Sequence, residues 1–103
     1  MSRYRLTSKA KSDLRSIWSR IAADNIEAAD RVLEAIYDAC AFLAKAPLRG
    51  HSRTDLTKLP VRFWTLVPFR KYVIVYSPAD KPLKIIRVFH GGRDVARELE
   101  NDP

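Results

Sequence analysis

Apolar side chains recur at helical spacing through the first half of the chain and at strand spacing through the second. Arg3 to Leu6 alternate charged and apolar residues, as a short strand with one buried face does. Thr7 then stands as a helix N-cap, followed by Ala10, Leu14, Ile17 and Ile21 at steps of four, three and four, with Trp18 widening the stripe. The spacing predicts a helix over Ser8 to Ala23. Asp24 and Asn25 break it, and a second stripe runs through Ala29, Val32, Leu33, Ile36, Cys40 and Leu43 until Pro47 ends it. Two such stripes in succession predict a helical hairpin.

From Pro47 to Pro60 no apolar period is present, and Arg49, Gly50, His51, Arg53 and Lys58 make this a basic loop, expected to be the least ordered part. The period then changes. Strands are predicted over Arg62 to Leu66, Lys71 to Tyr76 and Leu83 to His90, separated by a turn near Pro68 and a loop of Ser77 to Pro82. Strands joined so closely pair antiparallel. The expected architecture is therefore α+β: a helical hairpin on one face of a small, mainly antiparallel four-stranded sheet, in the order β-α-α-β-β-β, with a short C-terminal tail. The place of the first strand in the sheet is left open. In the tail, Glu98, Glu100 and Asp102 put negative charge at a helix C-terminal end, so that segment is expected to fray.

The strand residues Tyr72-Val-Ile-Val-Tyr76 and Ile85, Ile86, Val88 and Phe89 are apolar on both sides of the pleat, whereas a two-helix layer covers one face. The second face needs its own cover. Trp64, Phe69, Tyr72 and Tyr76 are the aromatics expected to be left over there for a partner; the alternative is that the tail and the basic loop fold back over them.

A chain of 103 residues makes one domain, here residues 1–103, and needs no metal or disulfide staple. Cys40 is the only cysteine and falls on an apolar stripe, which reads as a buried hydrophobe in a reducing, cytoplasmic setting. The two histidines stand apart, so no metal site and no cofactor are expected. Neither a signal-peptide core nor a membrane-length apolar run is present. Charge is unevenly spread: residues 1–44 carry seven basic and six acidic side chains, and residues 45–97 carry twelve and three. A one-sided basic field of this kind attracts nucleic acid or an acidic protein partner.

The last predicted strand stops at His90-Gly91-Gly92-Arg93-Asp94, where Gly91 and Gly92 end the run because glycine turns freely through positive φ. A titratable ring and a guanidinium are thus presented where the chain leaves the sheet.

The order strand, helical hairpin, basic loop, three strands resembles the RelE/ParE superfamily of bacterial toxins from type II toxin–antitoxin systems, over nearly the whole chain. Tyr4-Arg-Leu-Thr-Ser-Lys-Ala10, Asp13-Leu14, Ile17-Trp18, Ala28-Ala-Asp-Arg-Val32, Pro47, Gly50, Arg53, Tyr72-Val-Ile-Val-Tyr76 and Arg87-Val-Phe-His-Gly-Gly-Arg-Asp94 are similar to the ParE branch in particular. The resemblance implies a cytoplasmic toxin neutralised by a ParD-like antitoxin, whose acidic segment would lie in an apolar groove containing Trp64, Phe69, Tyr72 and Tyr76. It also implies DNA gyrase as target, contacted through His90, Arg93 and Arg87 without catalysis, and it brings no membrane association. Nucleic acid would then be met through the target or the antitoxin complex. The alternative within the superfamily is a RelE-like endoribonuclease acting on ribosome-bound messenger RNA. Such an enzyme needs a general base, a general acid and a cation for the phosphate, which His90, Tyr76, Arg62, Arg87 and Arg93 would supply only by converging on one phosphate.

Overall fold

The computed structural model describes residues 4–91 together with Arg97 and Leu99. Strand β1 (Tyr4–Leu6) leads into helices α1 (Ser8–Ala22) and α2 (Ile26–Lys45), a short 3-10 turn (Pro47–Arg49), and strands β2 (Arg62–Thr65), β3 (Tyr72–Ser77) and β4 (Leu83–His90). The sheet runs β1-β4-β3-β2. Its last three strands are antiparallel neighbours, as expected, and β1 pairs in parallel with β4, Leu6 opposite Ile85. The α+β prediction holds, with one parallel pair at an edge.

Both helix starts follow from side-chain caps. The Thr7 hydroxyl accepts from the Ala10 N–H at 3.0 Å, and the Asn25 side chain accepts from the Ala28 N–H at 3.0 Å. Asn25, read from sequence as a breaker, thus both ends one helix and begins the next. The Trp18 indole donates to Asp30 at 2.9 Å and ties the hairpin together.

Thr7 has a second task. Beyond Ile85, β1 has ended and the outer edge of β4 has lost its neighbour. The Thr7 N–H donates to the Ile85 carbonyl at 3.1 Å and its hydroxyl to the Ile86 carbonyl at 2.7 Å. Two turns into α1, Asp13 takes over: its Oδ2 accepts from the Val88 N–H at 2.9 Å and from Arg87 Nε at 2.8 Å, and its Oδ1 from Arg87 Nη2 at 2.9 Å. A helix side chain has replaced a strand on this edge, which answers the demand that near-buried backbone groups be paired.

A β-bulge lies in the same region. Tyr76 is opposite Ile85 but Val75 is opposite Arg87, so Ile86 is the extra residue. The bulge resets the alternation of β4. Leu83, Ile85 and Val88 pack with Tyr72, Ile74 and Tyr76 against Ala10, Leu14 and Ile17 of α1 and Val32, Ile36, Cys40 and Leu43 of α2. Ile86 and Phe89 join Val73 and Val75 on the opposite face.

That opposite face is where the structure corrects the sequence reading. Leu99 from the C-terminal segment, 2 % exposed, packs with Val61, Phe63, Val75 and Phe89, and Leu56 from the basic loop packs beside them. The chain covers much of its own second face, leaving a groove of about 420 Å³ beside Leu59, Val61, Ile86 and Leu99. Tyr72 and Tyr76 are not left over on it: the pleat that carries Ile74 turns both toward the helices, where they are 7 % and 0 % exposed. The expected fraying of the tail falls mostly outside the described residues, but Leu99 itself is buried. The basic loop is likewise held at several points, by a two-bond bridge between His51 and Phe63, both 2.8 Å, and by a turn in which the Leu56 N–H donates to the Arg53 carbonyl at 2.9 Å.

Gly91 is needed for a reason the sequence did not give. Its φ is not left-handed; a Cβ there would stand 2.9 Å from the Lys71 carbonyl oxygen, which accepts from the Gly91 N–H. Close approach, not turning freedom, excludes a side chain at this strand end.

The Asp13 bridge is nearly buried, its carboxylate and guanidinium side chains 15 % and 11 % exposed. Removing one partner strands the other, so Asp13→Ala is expected to lower unfolding free energy by about 3 kcal/mol in urea titrations. The paired replacement Asp13→Leu with Arg87→Met should lose clearly less. A second expectation concerns Cys40, whose thiol burial pushes from an ordinary 9.0 up to about 12. Native protein at pH 8 should react with iodoacetamide far more slowly than urea-unfolded protein. Between pH 9 and 12 the unfolded chain releases this proton before the folded one, so stability should fall with rising pH, more steeply than in Cys40→Ala.

Candidate functional site

Three regions gather the side chains capable of recognition or chemistry. The first is the end of β4. His90, half-buried, lies opposite Tyr72, and the two rings meet edge-on with centroids 5.5 Å apart. Beside them is a small cleft of about 120 Å³ lined by Asp13, Ser16, Ile17, Arg20, Val88, Phe89 and His90. Arg20, at the last turn of α1, therefore brings a cation to the histidine from a distant part of the chain. Arg87 lies behind this cleft. It is committed to Asp13, with its guanidinium carbon 4.6 Å from the Phe89 ring centre, an arrangement that positions β4 against α1. Arg93 and Asp94 lie outside the described residues.

The second region is at the opposite end of β3. The Tyr76 hydroxyl donates to the Pro47 carbonyl at 2.6 Å and accepts from the Gly50 N–H at 2.8 Å. A Cβ on Gly50 would stand 2.5 Å from that phenol oxygen, so this glycine is the space into which the tyrosine fits. Arg62, paired across the strands with Tyr76, donates to the Gly50 carbonyl at 2.7 Å. Burial pushes the Tyr76 phenol above its ordinary value, with the Gly50 N–H and Arg62 acting in the opposite direction. A phenol so held is a fixed hydrogen-bond bridge between sheet and loop.

These two regions do not meet. Tyr72, opposite His90, and Tyr76, opposite Ile85 and Arg62, are four residues apart on β3, about 13 Å at strand rise. Among the described residues, then, His90 stands apart from Tyr76 and Arg62, and Arg87 is held by Asp13. Nor does any group of three or more His, Cys, Asp or Glu side chains converge as a metal site among the described residues. No helix is long and apolar enough to cross a membrane, within the same residues.

The third region is a groove of about 590 Å³ on the outer side of the helical hairpin. Leu6, Leu14, Trp18, Leu33 and Tyr37 give it an apolar lining, and Lys11 and Arg15 stand at its margin. Sequence reasoning missed this groove, because Trp18 and Leu33 read simply as parts of the two helical stripes and Tyr37 lies outside the second stripe. Of the aromatics first expected to meet a partner, Trp64 and Phe69 are half-buried at the flank of the helix-side core. Trp64 meets Phe42 of α2, ring centres 5.6 Å apart, and Arg49 lies 3.9 Å over that Phe42 ring.

Comparisons with known proteins agree with this geometry. A sequence search of curated proteins gave no match. Among solved structures, the chain is similar to one from the chromosomal ParDE toxin–antitoxin system of P. aeruginosa, with a TM-score of 0.70 and 22 % identity, over 88 % of this chain and 97 % of that one; at this identity the likeness speaks for the fold. The family model for the ParE toxin of the type II toxin–antitoxin system parDE matches residues 4–95, which takes in every strand and helix described above. The chain belongs to the ParE toxin family of type II toxin–antitoxin systems.

Proposed function

We propose that this protein is a toxin that inhibits DNA gyrase by binding it, and that a ParD-like antitoxin neutralises it. The observation that carries the choice of binding over RNA cleavage is the separation of the candidate catalytic groups. Attack by a ribose 2′-hydroxyl needs base, acid and cation around one phosphate. Here Tyr76 and Arg62 are locked onto the 47–51 turn, His90 is at the other end of β3, and Arg87 is engaged by Asp13. The His90 end instead offers a half-buried ring with the exposed side chains of Ser16 and Arg20 beside it, suited to contact with a protein surface. Arg93, outside the described residues, is assigned to the same contact.

The antitoxin is placed on the hairpin groove. An amphipathic segment set there would bury apolar residues against Leu14, Trp18, Leu33 and Tyr37, and its acidic side chains would meet Lys11 and Arg15 at the margin. This reading moves the antitoxin contact away from the self-covered sheet face, and keeps Trp64 and Phe69 as a flank rather than the anchor.

Purified protein is expected to inhibit gyrase supercoiling and to leave ribosome-bound messenger RNA uncut. His90→Gln should retain most of the inhibition, losing about 1 kcal/mol of binding, whereas Arg93→Glu should abolish it. Ribosome-dependent cleavage that disappears in His90→Gln, with supercoiling untouched by the unaltered protein, would establish the nuclease instead. For the antitoxin, calorimetry should find that Tyr37→Ala costs about 2 kcal/mol of affinity and Leu33→Glu more, with Trp64→Ala costing less than either. The reverse order would return the contact to the β2 flank.

A further inference from the structure

Every exposed position on α1 is serine, lysine or arginine. The helix has a single carboxylate, Asp13, and that one is turned inward onto Arg87 and the Val88 N–H. Lys11 and Arg15 occupy one side of the outward surface and Arg20 the other, with Ser12, Ser16 and Ser19 between them. Among the described residues, neither Lys11, Arg15 nor Arg20 is in an ion pair. The three cations span about 14 Å of helix.

We propose that this outward face of α1 binds the phosphate backbone of duplex DNA. The composition selects the ligand. Protein-binding surfaces are enriched in aromatics and depleted in serine and lysine, whereas contacts to phosphate are made by arginine, lysine and serine. The adjacent groove has the first kind of surface and the helix crest the second. A single strand is disfavoured because no exposed position of α1 carries an aromatic ring on which bases could stack. Contacts to phosphate carry no sequence information directly, so binding is expected to be independent of sequence. The choice of DNA over duplex RNA rests on the proposed target, an enzyme that itself holds duplex DNA, but the contact does not require that enzyme.

The test is fluorescence anisotropy with purified protein and a labelled DNA duplex of about 20 base pairs, without gyrase, so that its result is independent of supercoiling inhibition. Binding in the micromolar range at low salt is expected, and three phosphate contacts predict a weakening of about 40-fold between 50 and 200 mM salt. Lys11→Ala/Arg15→Ala/Arg20→Ala should weaken binding at least about tenfold and flatten the salt dependence, while Arg15→Lys/Arg20→Lys retains most of it. The control Arg31→Ala/Lys45→Ala/Lys58→Ala removes the same charge from exposed positions elsewhere and should bind nearly as the unaltered protein does. Circular dichroism confirms that each variant is folded. Equal losses in the two triple variants would reduce the effect to net charge and overturn the proposal, as would tighter binding to an RNA duplex than to DNA.

Discussion

The arrangement depends on how the outer edge of β4 is closed. β1 pairs with it only as far as Ile85, and a strand edge left open beside a core would carry unpaired backbone groups. Thr7 and then Asp13 supply the missing partners from the chain that has just become α1. Because Asp13 also holds Arg87, one carboxylate sets the height and direction of α1 against the sheet, and with it the groove on one side and the His90 cleft on the other. The bulge at Ile86 belongs to the same solution. It shifts the alternation so that Val88 reaches the helix-side core and His90 lies on the same side, within reach of Tyr72 and Arg20.

The second constraint is the division of the apolar surface between the chain and its partners. A sheet with two apolar faces and one helical layer must find another cover. Leu99 and Leu56 provide part of it within the chain, and grooves of about 420 and 560 Å³ stay open beside Leu59 and Leu99. On the hairpin, the two amphipathic helices leave Trp18, Leu33 and Tyr37 around a further groove. A partner segment placed there would contact α1 and α2, and Leu6 from β1, at once.

Electrostatics divide α1 itself. Its inner side carries aliphatic residues and one paired carboxylate, and its outer side only hydroxyls and cations. The groove at one margin and the His90 cleft at the other share those cations, Lys11 and Arg15 with the first and Arg20 with the second. One helix thereby links the antitoxin-facing, nucleic-acid-facing and target-facing surfaces proposed for this protein, and a ligand on any of them alters the field met by the others.

Periodicity by itself determined the element order, both helix stripes and the Thr7 cap, since these depend on interactions within a few residues. The run from Leu83 to His90 also has its predicted bounds, because β-branched and aromatic residues end there at a glycine pair. Which face each strand residue takes was not legible, because a single bulge inverts everything beyond it and no local pattern marks Ile86 as the extra residue. The self-covered face was not legible either: Leu99 lies near acidic residues whose charge pointed to an unfastened tail, and only contact with Phe63 and Phe89 reveals its burial. Summed by segment, the positive charge belongs mainly to the second half of the chain, since the carboxylates of α2 offset the cations of α1 in sequence. Folding turns Asp13 inward and leaves the outward side of α1 without a negative charge, so this basic face arises from orientation, which tertiary structure alone decides.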